Sequence, residues 1–306
     1  MVLEIRVAAS GELEQAVAVN NAVWTDDPET VETVREATEW MRAAEHFLAV
    51  EGDAVVGAGF AGILPHRPEL TARLMVPQPH RRRGVGTALY RATSRWAHTH
   101  GFETMAGWVP EADPDGLGWA SRRGFEEVGR ERLLGLELRG DEAPAVEFPG
   151  GVELATLAER PDLLPSLYDV ICEAWPDVPG EADSVVEPFD EWRHSHMEGT
   201  GDDPRAVFVA VSDGEAVGYA KLMLPVVEGG PVWNDITAVR RSWRGRGIAG
   251  ALKAAEVRWA AASGYRLLLT RNEERNAPIR RLNERFGYVD RPGRIRVRGP
   301  LATVAP

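Results

Sequence analysis

The chain has 306 residues, a length that favours two domains over one at roughly 100 to 200 residues per domain. Apolar residues make up 44% and charged residues 27%, with Gly and Pro dispersed, which excludes a disordered, fibrous or collagen-like chain. A formal net charge of −12 argues against general binding to nucleic acid.

In chain order, Leu3–Val7 alternates as a strand, and Glu12–Val23 places Leu13, Ala16, Val17 and Asn20 at helical spacing. A hairpin follows at Phe47–Ile63 with Gly52-Asp53 as its turn. Leu74–Val76 reads as a short strand, and Gly84–His100 as a helix with Leu89, Ala92, Thr93 and Trp96 on one face and Gly101 as its left-handed cap. A strand at Glu103–Val109, a helix at Leu117–Arg123 and a closing strand at Glu131–Leu138 complete the unit. The stretch Asp141–Gly151 is acidic, rich in Pro and Gly and without period, as a join between domains is.

The rest of the chain repeats this plan. Arg81-Arg82-Arg83-Gly84-Val85-Gly86 aligns on Arg244-Gly245-Arg246-Gly247-Ile248-Ala249 at an offset of 163, which also pairs Trp96 with Trp259 and Gly124-Phe125 with Gly287-Tyr288. The hairpin recurs at Val207–Gly218 at an offset of 161. So small a drift marks a tandem duplication. The second copy is expected to hold strands at Ile236–Val239, Arg266–Thr270 and Ile295–Val297, and helices at Gly247–Ser263 and Pro278–Phe286.

No apolar run is long enough to span a membrane, and Met1-Val2-Leu3-Glu4-Ile5-Arg6 lacks the pattern of a secretory signal, so a cytoplasmic protein with no membrane partner is expected. Cys172 is the only cysteine, which leaves no intrachain disulfide and no thiolate metal site. Charge is unevenly placed. Arg240–Arg298 carries a local +11 and Glu173–Asp203 a local −9, while Trp24–Glu45 is a weaker acidic stretch at −5; the basic and acidic segments face a partner or each other.

The chemistry-bearing feature is the strand-to-helix turn at Arg81–Gly86 and again at Arg244–Ala249. Glycines there let the backbone approach a ligand, and the first turn of the following helix offers unpaired N–H groups at its positive end, a cradle for pyrophosphate. The competing reading is a tight turn with solvated arginines, and its recurrence in both copies weighs against that. Gly245-Arg246-Gly247-Ile248-Ala249-Gly250 also matches a dinucleotide fingerprint. No acid follows about 20 residues on, and the first copy has Leu89 in place of the third glycine, so that reading fails.

With Arg81-x-x-Gly84-x-Gly86, Arg244-x-x-Gly247-x-Ala249 and the later pairs Gly124-Phe125 and Gly287-Tyr288, each copy resembles a domain of the GNAT acyltransferase superfamily. The resemblance implies an α/β fold of two tandem GNAT-like domains, each a mixed twisted sheet flanked by helices, over 1–142 and 150–306. It implies acetyl-CoA as the donor, held by the two loops, by Thr237-Ala238-Val239 and Leu74-Met75-Val76 of the fourth strands, and by Asn276. The family's usual tyrosine before the Gly-Phe pair is Asn283 in the second copy and Ala120 in the first, and only the second copy offers a carboxylate on its fourth strand, Asp235.

The second copy is therefore expected to be catalytic and the first degenerate, with Asp235 as general base, the Val239 N–H as oxyanion donor and Asn283 near the leaving thiolate. Helix capping and solvation compete for Asn276 and Asn283, and a turn or a salt bridge to arginine competes for Asp235. His194 and His196 read as surface residues. The implied activity is N-acetylation of a primary amine on a cationic small molecule, by a monomer or homodimer; a non-catalytic acyl-CoA sensor is the alternative, and nucleic acid is a remote one resting on the arginine cluster.

Overall fold

The computed structural model describes residues 2–65, 69–139, 144–179 and 185–303. They form two compact units, residues 1–130 with 293–306, and residues 131–292. Each unit is a mixed, twisted six-stranded sheet flanked by helices.

The first unit runs β1 (Leu3–Val7), α1 (Leu13–Val23), α2 (Val31–Glu39), β2 (Ala43–Glu51), β3 (Ala54–Ile63), β4 (Leu70–Met75), α3 (Val85–Thr99), β5 (Thr104–Pro110) and α4 (Pro114–Ser121), and then enters β6 (Glu126–Glu137). The second contains β7 (Glu153–Thr156), α5 (Leu164–Ala174), α6 (Phe189–Met197), β8 (Val207–Ser212), β9 (Glu215–Met223), β10 (Val232–Val239), α7 (Ile248–Ala262), β11 (Leu267–Glu273) and α8 (Ala277–Arg285), and leads into β12 (Val289–Pro300). The β8–β9 turn uses Asp213 and Gly214, both at positive φ, as a two-residue hairpin of right-handed twist requires.

The division differs from the expected 1–142 and 150–306 because the closing strands are exchanged. β12, the last strand of the second repeat, pairs antiparallel with β5 from Arg294↔Pro110 to Pro300↔Thr104. β6, the closing strand of the first repeat, pairs with β11 from Leu267↔Glu137 to Glu273↔Glu131. Periodicity marks a segment as a strand without saying which neighbour it takes, so the sequence could not place this swap. The chain after β12 is tied into the first unit, where Leu301 joins the core, its N–H bonds Glu103 O, and the Tyr90 hydroxyl donates to Pro300 O at 2.7 Å. Of the expected join, residues 141–143 lie outside the described residues.

In each unit the fourth and fifth strands are parallel and part almost at once. β4 and β5 pair only at Thr71↔Ala106, and β10 and β11 only at Val232↔Leu268 and Trp233↔Leu269. Beyond those points one edge of β4 and of β10 has no neighbouring strand. Both strands begin earlier than their expected starts at Leu74 and Ile236, because their first residues pair with β3 and β9.

A chain ending at Pro292 should lose amide protection in α3 and β5, residues 85–110, although the deletion lies at the far end of the sequence. Hydrogen exchange should find β8 and β9 still protected; loss confined to the second unit would contradict the exchange of strands.

Candidate functional site

The glycine turns recur as duplicates in three dimensions. Gly84 and Gly247 are the N-caps of α3 and α7 with φ of +88°, a left-handed conformation that favours glycine. A Cβ at either would meet nothing within 4 Å. Glycine is therefore needed for the backbone, and the space above each helix end, with its unsatisfied N–H groups, stays open.

The first arginine of each turn is a latch. Arg81 Nε donates to Val76 O at 2.9 Å, and Arg244 Nε donates to Val239 O at 3.0 Å. Their guanidinium ends are neutralised, Arg81 by Asp113 at 2.8 Å and Arg244 by Asp177 at 2.7 Å. Asp177 also holds Arg241 at 2.9 Å, and these two arginines keep its carboxyl near a pKa of about 2. Glu173 accepts from the Arg241 N–H and lies 3.8 Å from Arg240. The basic and acidic segments thus meet each other in part. Arg83 pairs with Glu51, Arg82 lies 3.7 Å from Asp115, and Arg246 stacks on Trp243 at 4.6 Å. With these side chains engaged by protein groups, what the turns leave open is chiefly backbone N–H.

In the first unit, the parting of β4 from β5 opens a cleft of about 370 Å³. Trp24, Leu74, Met75, Val76, Trp108 and Trp119 line it together with Gly84, Val85, Gly86 and Arg82 of the turn. Arg123 lies over the Trp119 ring at 3.9 Å and donates to Thr87 Oγ1. Asp113 caps α4 through Gly116 N while holding Arg81. No carboxylate stands on β4 itself.

The second unit differs at its fourth strand. The β10–β9 register shifts between Asn234 and Ile236, so Asp235 is the extra residue of a β-bulge. Its side chain, 34% exposed, lies 3.0 Å from the Lys221 ammonium. The ion pair weighed for Asp235 exists, to a lysine rather than an arginine. Farther along, the Arg240 N–H bonds Val217 O on β9. By strand alternation, Thr237 and Val239 turn their N–H groups to the other side, where β11 has departed. Ala238 packs in the core beside α5, Ile248 is buried beneath the turn, and Ala249 is half-buried against the cluster that holds Ile248.

Asn276 caps α8 without a side-chain bond to it. Asn283 is fully buried, and its Nδ2 donates to Asn272 Oδ1 of β11 at 2.7 Å. That placement makes Asn283 a link between α8 and β11, closed to solvent. His194 and His196 lie on α6, near Glu198 and Glu187, as surface residues. Among the described residues no group of three or more metal-ligating side chains gathers, and no helix is long and apolar enough to cross a membrane.

A polar cluster escaped the sequence reading. Lys253 and Glu256 of α7, both fully buried, lie 3.6 Å apart. Asn234 accepts from Lys253 and donates to Glu256 at 2.5 Å, while Thr270 Oγ1 donates to Asn234 O at 3.1 Å. Burial drives both charged groups toward neutrality, lowering the Lys253 ammonium and pushing Glu256 up to about 8 against the pull of Lys253. At i, i+3 in a helix the pair looks like a surface ion pair; only the apolar run around it signals a core position.

The Acetyltransferase (GNAT) family matches residues 15–125 and 164–288, most of the chain, and the chain belongs to that family. Its members use acetyl-CoA as the acyl donor. A mycothiol acetyltransferase of Parafrankia sp. (strain EAN1pec) is 27% identical over 286 residues, covering 84% of this chain and 83% of that protein. Among solved structures, a tandem GNAT protein from the clavulanic acid biosynthesis pathway superposes with a TM-score of 0.79 at 19% identity, covering 99% of this chain and 100% of that one. A GCN5-related N-acetyltransferase from Sphaerobacter thermophilus gives 0.74 at 22% identity, covering 99% and 97%. These likenesses establish the fold of two tandem GNAT-like domains.

Glu256 predicts a pH dependence of stability. Its folded value of about 8 lies above the ordinary glutamate value near ~4.3, so across that interval the folded chain keeps a proton that the unfolded chain has lost. This group's contribution to stability therefore falls as pH rises from about 4 to about 8, by on the order of 1 kcal/mol per pH unit at most. Lys253, lowered, acts in the opposite sense up to the ordinary lysine range. Thermal melts of Glu256→Gln should lose the falling component; an unchanged profile would show that Glu256 does not titrate there.

Proposed function

We propose that the protein is an N-acetyltransferase that moves an acetyl group from acetyl-CoA to a primary amine on a cationic small molecule, with the chemistry in the C-terminal unit. One observation carries the reading. Only there does a bulge place a partly exposed carboxylate, Asp235, on a strand whose far edge has lost its neighbour.

The surroundings fit an acyl-CoA. The open space over Gly247 and the N–H groups of Ile248 and Ala249 suit a pyrophosphate, with Gly245 and Arg246 beside it. The unpaired edge at Thr237 and Val239 suits the amides of the pantetheine arm, with Asn276 at the start of α8 beyond the next strand. The acceptor ammonium loses a proton to Asp235, the free amine attacks the thioester carbon, and the Val239 N–H meets the charge that develops on the carbonyl oxygen. A thiol has a pKa of about 8.5, so it leaves near neutral pH without a tyrosine to protonate it. Asn283 takes no part. Two carboxylates, Asp202 and Asp235, around one lysine leave the acceptor side negative, which favours a cationic amine.

The N-terminal unit is assigned a binding role. Its turn and cleft suit an acyl-CoA, with Arg81 and Arg83 holding the turn, while β4 provides no base. This is the feature that favours a non-catalytic acyl-CoA sensor, limited here to one half of the chain. A small soluble acceptor and a cytoplasmic setting follow from this activity as expectations.

Calorimetric titration with acetyl-CoA should find two sites in the parent, one in Gly84→Glu and one in Gly247→Glu, since each change strains a left-handed backbone and adds a like charge. Unchanged binding in both variants would end the cradle assignment.

Thiol release with cadaverine, spermidine and glucosamine should outpace release with acidic amino acids. Asp235→Asn should lower kcat by about 10² to 10⁴-fold with little change in acetyl-CoA affinity. Asn283→Ala should cost about 1 to 3 kcal/mol of stability and spare kcat. A dead Asn283→Ala that folds, beside an active Asp235→Asn, would reverse both assignments.

A further inference from the structure

We infer that Lys221 is a positioning residue for the transfer, holding the Asp235 carboxylate on its bulge so that the acceptor's proton has a fixed destination. The inference rests on the role proposed above for Asp235 and goes beyond it by naming what keeps that group in place.

Lys221 lies on β9 in register with Ile236, beside the bulge. Its side chain is 2% exposed, yet its ammonium has three partners, one for each N–H. It donates to His196 O at 2.6 Å and to Asp202 Oδ1 at 2.8 Å, and lies 3.0 Å from Asp235 Oδ2. Burial draws the ammonium down, and the carboxylates of Asp235 and Asp202 outweigh it and leave it raised, so the lysine stays charged.

The two carboxylates are not equivalent. Asp202 is 7% exposed and compensates the buried cation, whereas Asp235 keeps 34% exposure while bound through one oxygen. One lysine thus ties together the end of α6, the loop before β8, β9 and the bulge of β10. In the first unit the corresponding position, paired with Arg73, is Phe60, and the strand opposite has no bulge and no acid. The buried lysine and the bulge carboxylate are present together in one unit and absent together from the other.

A bulge leaves the chain locally unpaired, and a carboxylate on it would otherwise sample several directions. Anchored by Lys221, it accepts one proton from the acceptor ammonium. The amine nitrogen then bonds the thioester carbon, the C–S bond breaks, the second amine proton leaves toward the departing thiolate, and Asp235 returns its proton to solvent.

The test compares acceptors that do and do not need a base. Thiol release from acetyl-CoA is measured at pH 7 with the fastest ammonium acceptor among cadaverine, spermidine and glucosamine, and with hydroxylamine, which is already neutral. Lys221→Met should lower kcat about 10²-fold with the ammonium acceptor and only a few-fold with hydroxylamine, with Lys221→Arg recovering part of the loss. Equal losses with both acceptors, or none, would overturn the inference, provided Asp235→Asn keeps its selective loss. If Asp235→Asn shows no selectivity, the base itself is misassigned and both readings fall. Should Lys221→Met not fold, Lys221→Gln replaces it, which keeps a hydrogen-bond donor but removes the charge that anchors Asp235, and a selective loss of about tenfold is expected. Its absence in a folded Lys221→Gln protein would overturn the inference.

Discussion

The parting of two parallel strands governs this structure, and the exchanged strands hold the fifth strand of each unit on its other side. β5 is held on one side by seven successive register pairs with β12 and on the other by a single pair with β4. β11 is likewise held by seven pairs with β6 against two with β10. Antiparallel ladders of that length fix the fifth strand of each unit firmly to that neighbour. The fourth strand diverges from it, and in the first unit the space between them is the cleft. The glycine turn at the end of the fourth strand, and the helix end it exposes, are aimed into that space.

A forked sheet leaves backbone groups without ladder partners, and the two units meet this differently. In the second, the fork is stitched by Thr270 Oγ1 to Asn234 O, with the Asn234 side chain held between Lys253 and Glu256. In the first, the positions 163 residues earlier than Lys253 and Glu256 are Tyr90 and Thr93, and Tyr90 packs edge-on against Trp119 and Phe125. Buried ionisable pairs are weak contributors to stability, because each group either loses the hydration of its charge or gives the charge up. Their presence at the fork fits a need to satisfy polar backbone where the ladder ends rather than a gain in packing.

Much of this was legible in the sequence. The duplicated turns and the helices at Val85–Thr99 and Ile248–Ala262 fall within a residue of their expected bounds, because glycine positions and hydrophobic period act locally, while both hairpins turn where expected but extend further, β2 beginning at Ala43 rather than Phe47 and β9 running to Met223 rather than Gly218. Partner choice is not local. The exchange of β6 and β12 depends on which sheet edge is free when the chain arrives, and no residue spells that out. The roles of polar residues were harder still. Asn283 sits at the family's tyrosine position but is sealed against Asn272, and Asp177 lies far in sequence from the arginines it clamps. Lys221 left one trace, a lone cation in the otherwise apolar run Val217–Met223, which is where a buried charge with a purpose would be sought.

The exchange of closing strands also bears on how such a duplication can change with time. A gene that doubles a self-sufficient domain can usually discard either half. Here each half of the message encodes the strand that flanks the fifth strand of the other half's sheet, so deleting one leaves the survivor with an exposed edge and an unsupported fifth strand. The N-terminal repeat is consequently shielded from loss whatever becomes of its own chemistry. Its turn and cleft are free to drift toward a new ligand while its last strand remains under selection for a fold that is not its own.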